Sequence, residues 1–307
     1  MIRTIDLRQT SPSGRVPAPG AVGRSAREPQ SLDSHVVAFV SCVDDQAQYD
    51  TCLRYLNALE VPSGYAVEKI AVLGAPSMAE GYQRAMEASR ARYKIYVHQD
   101  VYLVHGGLLG ELVRAFQTYP RLGMIGVVGT TRMPASGIWW GNKIHLHGRL
   151  WECRREAGFP GSLFGRRLTL SRFRSFVGDY LPAVNVDGLF LATQYDLVWE
   201  NPLGGFFLYD QVQALNFIKA GLEVGIVRQQ AIWCLHWGHL HERSREQRDN
   251  RDVEVSRWAA AFVDRFPEFI GVPAKKLYEQ HRRSAGRPGS AAWDHASRGA
   301  SHPPSAS

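Results

Sequence analysis

The run Tyr93-Lys94-Ile95-Tyr96-Val97-His98-Gln99-Asp100-Val101 carries β-forming residues into two polar groups and a carboxylate. Tyr, Ile and Val suit a half-buried pleated strand. An unpaired charge is costly inside a core. Asp100 is therefore expected at the strand's carboxyl end, where open α/β sheets gather ligands. Asp44 and Asp45 follow a second apolar run, Asp187 lies within a third, and Asp210 opens a helix-like stretch. Carboxyl ends of parallel strands share one edge, so the strand-end acids can converge on one crevice. There they could hold Mn2+ or Mg2+ against a diphosphate, because hard cations take carboxylate and phosphate oxygens. Each acid has a plainer use as a cap or loop charge, and Asp210 in particular suits a helix first turn.

The histidines offer different chemistry. His145-x-His147 puts two rings on one face of an extended segment, and His236-x-x-His239-x-His241 adds three more. With Asp100 they could build a hydrolase-type metal centre. Their spacing matches no zinc helix motif.

Alternating elements must position these groups. Residues 35–43 read as a buried strand, 48–59 as an amphipathic helix and 67–73 as a strand. A turn at 74–77 and a helix over 78–90 lead into the strand ending at Asp100. This β-α-β-α-β order predicts an α/β fold with a parallel sheet and right-handed crossovers. No GxGxxG follows the first strand and no GxxxxGK[ST] occurs, which argues against dinucleotide and P-loop sites. Further helices are expected over 108–119, 211–220 and 251–266, and strands over 123–129, 184–193, 222–227 and 232–236. Residues 1–34 and 284–307 are rich in Pro, Ser, Gly and Arg and are expected to be a disordered leader and tail around a domain at 35–283. An irregular insert is expected over about 130–183, and its arginines between 149 and 174 could close over a site as a lid.

Composition narrows the partners. The 307 residues are 45% hydrophobic, enough for a full core, and carry a formal net charge of +7. That charge suits an anionic ligand or at most peripheral membrane contact. No block of like charge interleaves with aromatics, so no nucleic-acid partner is expected. The four cysteines form no CxxC pair and fit a reducing compartment. Arg3, Asp6 and Arg8 interrupt any secretory signal, and a cytoplasmic protein is the expectation.

Five stretches taken in order carry a resemblance. They are Phe39-Val40-Ser41-Cys42-Val43, Gly74-Ala75-Pro76-Ser77-Met78-Ala79-Glu80-Gly81-Tyr82, Tyr96-Val97-His98-Gln99-Asp100-Val101, Val186-Asp187-Gly188-Leu189-Phe190-Leu191-Ala192-Thr193 and Phe207-Leu208-Tyr209-Asp210. The chain resembles the family 2-like glycosyltransferases of the streptomycin-biosynthesis type over about residues 36–240. The resemblance implies a GT-A-type (Rossmann-like) mixed, mainly parallel sheet flanked by helices. It implies a nucleotide-sugar donor, with Cys42, Asp44 and Asp45 at the base and Ala75, Ser77 and Tyr82 lining the donor pocket. His98, Gln99 and Asp100 take the place of the DxD motif, with His98 where that motif has its first acid. Asp100 and His236 are the implied metal ligands, for Mn2+ or Mg2+. Asp187 and Gly188 fall near the sugar and acceptor, and Trp139 and Trp140 of the insert are assigned to the same side. Asp210 is the implied general base.

The expected function is inverting, metal-assisted transfer of a sugar to a hydroxyl of a carbohydrate or other acceptor. The alternatives are a non-catalytic nucleotide- or carbohydrate-binding protein on the same fold and the histidine-built hydrolase.

Overall fold

The computed structural model describes residues 2–9, 32–155, 166–200, 202–238 and 245–282. Strand β1 (Ile2–Asp6) falls in the segment expected to be a disordered leader. It corrects that expectation for residues 2–9, because its backbone pairs in parallel with β3 (Ala66–Leu73), Ile2 opposite Lys69 and Asp6 opposite Leu73. Residues 10–31 and 283–307 lie outside the described residues.

The core alternation follows: β2 (Asp33–Val43), α1 (Gln46–Asn57), β3, α2 (Met78–Ala88), β4 (Ala91–Val97). Asp45 caps α1 by accepting from Gln48 N at 3.1 Å, and Ser77 caps α2 by accepting from Glu80 N at 3.1 Å. Helix α2 turns Ala79, Tyr82, Ala85 and Met86 inward at helical spacing. Next come β5 (Val101–Leu103), α3 (Leu108–Thr118), β6 (Leu122–Gly126) and β7 (Val128–Thr130). The expected strand 123–129 is thus broken at Val127.

Among its described residues, the insert expected to be irregular carries three strands. β8 (Leu146–Arg155) and β9 (Arg166–Arg172) pair antiparallel, with Arg149 opposite Arg172, and β10 (Tyr180–Ala183) follows. The expected strand 184–193 is interrupted by a turn at Asp187, leaving β11 (Asn185–Val186) and β12 (Phe190–Thr193). Helix α4 (Tyr209–Lys219), β13 (Glu223–Val227), β14 (Cys234–His236), α5 (Arg245–Arg265) and α6 (Ala274–Arg282) complete the chain.

One eight-stranded sheet runs β1-β3-β2-β4-β12-β6-β13-β10. β12 is antiparallel to both neighbours, β10 is antiparallel to β13, and the other pairs are parallel. The carboxyl ends of β2, β3, β4, β6 and β13 therefore share one edge. A second sheet, β11-β7-β8-β14-β5 with β9 on β8, stands beyond it. This is the mixed, mainly parallel sheet flanked by helices expected for a GT-A-type chain. The one lysine deep in the sheet, Lys94, is fully buried and paired with both Asp196 oxygens at 2.8 and 2.9 Å, which offsets its desolvation. Among the described residues no helix is long and apolar enough to cross a membrane.

Candidate functional site

The shared carboxyl edge opens into a cleft of about 420 Å³. β2 delivers Cys42, Val43 and Asp44 to it. The β3–α2 turn delivers Gly74, Ala75 and Met78, and the turn after β4 delivers His98, Gln99 and Asp100. Phe206, Phe207 and Tyr209 close one side and His236 of β14 another. Gly74 has φ +64°, a left-handed turn that lets the chain leave β3 sharply.

Gln99 fastens two parts of this cleft. Its Oε1 accepts from the backbone N–H groups of Asp44 and Asp45, both at 3.0 Å, and its Nε2 donates to Asp44 Oδ1. Gln99 is itself buried, so its amide holds the loop after β2 against the end of β4. The sequence marked Gln99 as a donor contact; its bonds show it setting the position of Asp44.

Asp100 is 2% exposed, and its Oδ2 lies 3.4 Å from His236 Nε2. Antiparallel pairing of β14 with β5, His236 opposite Val101, creates this contact. Burial lowers the His236 pKa, but the hydrogen bond and charge of Asp100, with Asp187 and Glu152 behind, outweigh it and raise the pKa overall. The Cys42 thiol is pushed up to about 12, by burial first and then by Asp44, so it is a neutral wall of the cleft.

His98 reaches Tyr209: Nε2 and the hydroxyl are 2.6 Å apart. Tyr209 was not singled out as a site residue, although its place beside Asp210 in the quoted Phe207-Leu208-Tyr209-Asp210 stretch is a signal that could have found it. Leu208, just before α4, has φ +58°, the only non-glycine left-handed residue among the described residues. Left-handed backbone at a bulky side chain stores strain, and Gly204 and Gly205 share the unusual φ in the same turn. That turn brings Phe206 and Phe207 to the cleft.

Three expected donor residues do not line the cleft. Asp45 and Ser77 are spent as helix caps. Tyr82 is fully buried beneath it, against Tyr96, Trp199 and Tyr209 with ring centroids 4.8, 5.0 and 5.8 Å away. Ala75, His98 and Asp44 line the cleft.

Asp210 lies behind the cleft rather than in its lining, 6% exposed. One oxygen accepts from Asn185 Nδ2 and from Gly188 N, each at 3.3 Å. Burial, then the charge of Asp187, push its pKa up to about 7, against the pull of those two donors and Gln211 N. Asp187 is raised too, chiefly by burial. Its Oδ1 accepts from Leu189 N at 3.1 Å. Gly188 packs on the Tyr209 ring, where any Cβ would collide with the hydroxyl. Trp139 is buried, with its backbone N–H donating to Gln211 Oε1 of α4 at 3.3 Å, whereas Trp140 is 41% exposed. Neither lines the cleft.

Among the described residues no group of three His, Cys, Asp or Glu side chains gathers to hold a metal, and His239 and His241 of the expected histidine-built centre lie outside them. The arginines expected as a lid are placed elsewhere: Arg149, Arg172 and Arg174 line a separate cleft, and residues 156–165 are outside the described set.

The Glycosyltransferase like family matches over residues 38–258. No curated protein matches. Among solved structures, the mannosyltransferase PcManGT from Pyrobaculum calidifontis, in complex with GDP-Man and Mn2+, is similar at 11% identity and TM-score 0.44. The similarity covers 89% of this chain and 77% of that one. TarS 1-349 of S. aureus in complex with UDP-GlcNAc is similar at 9% identity and TM-score 0.43, over 81% and 70% of the two chains. With the family matched across more than two thirds of its length, the chain belongs to the glycosyltransferase-like family.

Proposed function

We propose that the chain transfers a sugar from a nucleotide-sugar donor to an acceptor hydroxyl with inversion. The observation that carries this is the meeting of Asp44, Asp100 and His236 in one cleft of a chain from this family. A diphosphate brought there meets the half-buried His236 paired with buried Asp100, and a nucleoside lies against the loop that Gln99 fixes.

The residues present fit a divalent cation: one carboxylate oxygen and one imidazole nitrogen face the same space. Donor phosphate oxygens would supply further ligands, and the mixed set suits Mn2+ better than Mg2+. Such an ion would neutralise charge on the departing nucleoside diphosphate.

The protein's own residues supply the rest. The acceptor oxygen forms a bond to the anomeric carbon as the bond from that carbon to the diphosphate oxygen breaks. The hydroxyl proton passes to Asp210, and the nucleoside diphosphate leaves with the electron pair. Asp210, held near pKa 7, is poised as a base at neutral pH. The backbone N–H of Gly188 and Asn185 Nδ2 orient it. A thermal-shift screen of nucleoside diphosphate sugars tests the proposal, since a ligand bound by the folded state alone raises the melting temperature; no shift with any of them contradicts it.

One observation favours a binding-only reading, namely that Asp210 does not line the cleft. Nucleotide-sugar binding with no release of nucleoside diphosphate, across a panel of hydroxyl acceptors, would support that reading instead.

A further inference from the structure

The same sheet edge carries a second cleft, of about 350 Å³. Arg149, Arg172, Arg174 and Arg228 line it, and among the described residues no carboxylate does. Asp179, whose backbone oxygen accepts from Arg228 N at 2.8 Å, lies next to it, with its carboxylate accepting from the Tyr119 hydroxyl at 2.5 Å. Arg149 is fixed from below, donating to the backbone oxygens of Gln229 and Gln230 at 2.5 and 3.1 Å. Buried Gln229 completes the floor, donating to Val127 O at 3.2 Å and Arg149 O at 2.8 Å and accepting from Trp233 N at 2.9 Å. Arg172, Arg174 and Arg228 are exposed around that floor.

Four guanidinium groups beside one neighbouring carboxylate, Asp179, carry excess positive charge and repel one another. A concave, hydrogen-bonded setting that keeps them together is suited to an anion, and their forked donors match phosphate oxygens. The position is equally specific. Val127 follows the end of β6 and Val227 ends β13. Both strands point their carboxyl ends to the edge that holds Asp100. β13 is three strands from β4 in the sheet order, a separation of roughly 14 Å at ordinary strand spacing. The two regions share a strand end: Asp187 N–H donates to Val128 O at 2.9 Å, and Gln229 of the arginine cleft donates to the adjacent Val127 O at 3.2 Å. A molecule seated along this edge from the first cleft meets the arginines within that separation.

We propose that this arginine-lined cleft binds a phosphate group of the acceptor, which makes the acceptor a hydroxyl-bearing phosphate ester. The inference rests on the transferase reading above. It is tested on the full chain by phenylglyoxal labelling of arginines, read peptide by peptide, with glycerol, glycerol phosphate, or phosphatidylcholine vesicles with and without phosphatidic acid. Glycerol phosphate is expected to slow labelling of Arg172, Arg174 and Arg228 by about threefold or more, leaving the exposed Arg54 and Arg257 unchanged. Protection by phosphatidic acid vesicles alone also supports a phosphate site and assigns the source to a lipid. Equal labelling in every arm, or equal protection of Arg54 and Arg257, overturns the proposal. The variant R172Q/R174Q/R228Q should lose the protective response at Arg149 and keep wild-type nucleotide binding. Nucleotide binding absent from the wild type as well would count against the donor reading and leave the labelling result to stand separately.

Discussion

His236 Nε2 stands 3.4 Å from Asp100 Oδ2, so the end of β14 meets the turn after β4 at the floor of the larger cleft. The contact titrates. Its interactions raise the His236 pKa above the ordinary 6.5, so the ion pair stabilises the fold below that value and the contribution fades as pH rises through the folded-state pKa. A metal needs the neutral ring. Mn2+ affinity should therefore tighten between pH 6 and pH 8, by about tenfold, and His236→Ala should flatten the trend. Calorimetry at the two pH values checks this, and a wild-type affinity independent of pH contradicts it.

Asp210 gives the second prediction. With its pKa near 7, turnover should fall as pH drops below 7, because the base becomes protonated. Asp210→Asn should lower kcat by about 100-fold or more while leaving nucleotide affinity within a factor of about 2. Stability moves the other way. A carboxylate whose folded pKa is raised costs stability from its unfolded pKa upward, in full above about pH 7. The variant should thus gain on the order of 2 kcal/mol at pH 8 and much less at pH 4, as read by urea unfolding.

Gln99 provides a third. Gln99→Leu keeps the volume but strands the N–H groups of Asp44 and Asp45. It should cost about 2 kcal/mol of stability and weaken nucleotide binding by roughly tenfold. Unchanged nucleotide affinity would show that the loop after β2 does not hold the base.

Gly188 is argued from space. Any side chain there meets the Tyr209 hydroxyl. Gly188→Ala should destabilise by about 1–3 kcal/mol and lower kcat by displacing the Gly188 N–H from Asp210. Restoration of stability by the double variant Gly188→Ala with Tyr209→Leu, and only partly with Tyr209→Phe, whose ring carbon stays 2.7 Å from a Cβ at 188, would locate the clash.

Much of the frame was legible before the structure, because β-α-β-α-β is written in local periodicity. The place of Asp100 just beyond β4 was legible for the same reason, but its burial was not, because that depends on His236 from distant β14. Other features are set by partners distant in sequence. β1 has two apolar residues and is a strand only because β3 offers an edge. The β8–β9 hairpin hides in sequence because its arginines alternate with few aliphatics. Neither local pattern nor a resemblance separates a residue lining a cleft from one beneath it: the resemblance implies Tyr82 in the donor pocket, yet Tyr82 is fully buried and Tyr209 lines the cleft. Asp45 and Ser77 carry the ordinary signals of helix caps, and the structure uses them so.

The most direct test of the central claim is calorimetric titration of UDP, GDP and dTDP, each with Mn2+, into the wild type and Asp100→Asn. The account predicts that the wild type binds at least one of them and that the variant binds it at least about tenfold more weakly. Equal affinity in the two proteins would contradict it.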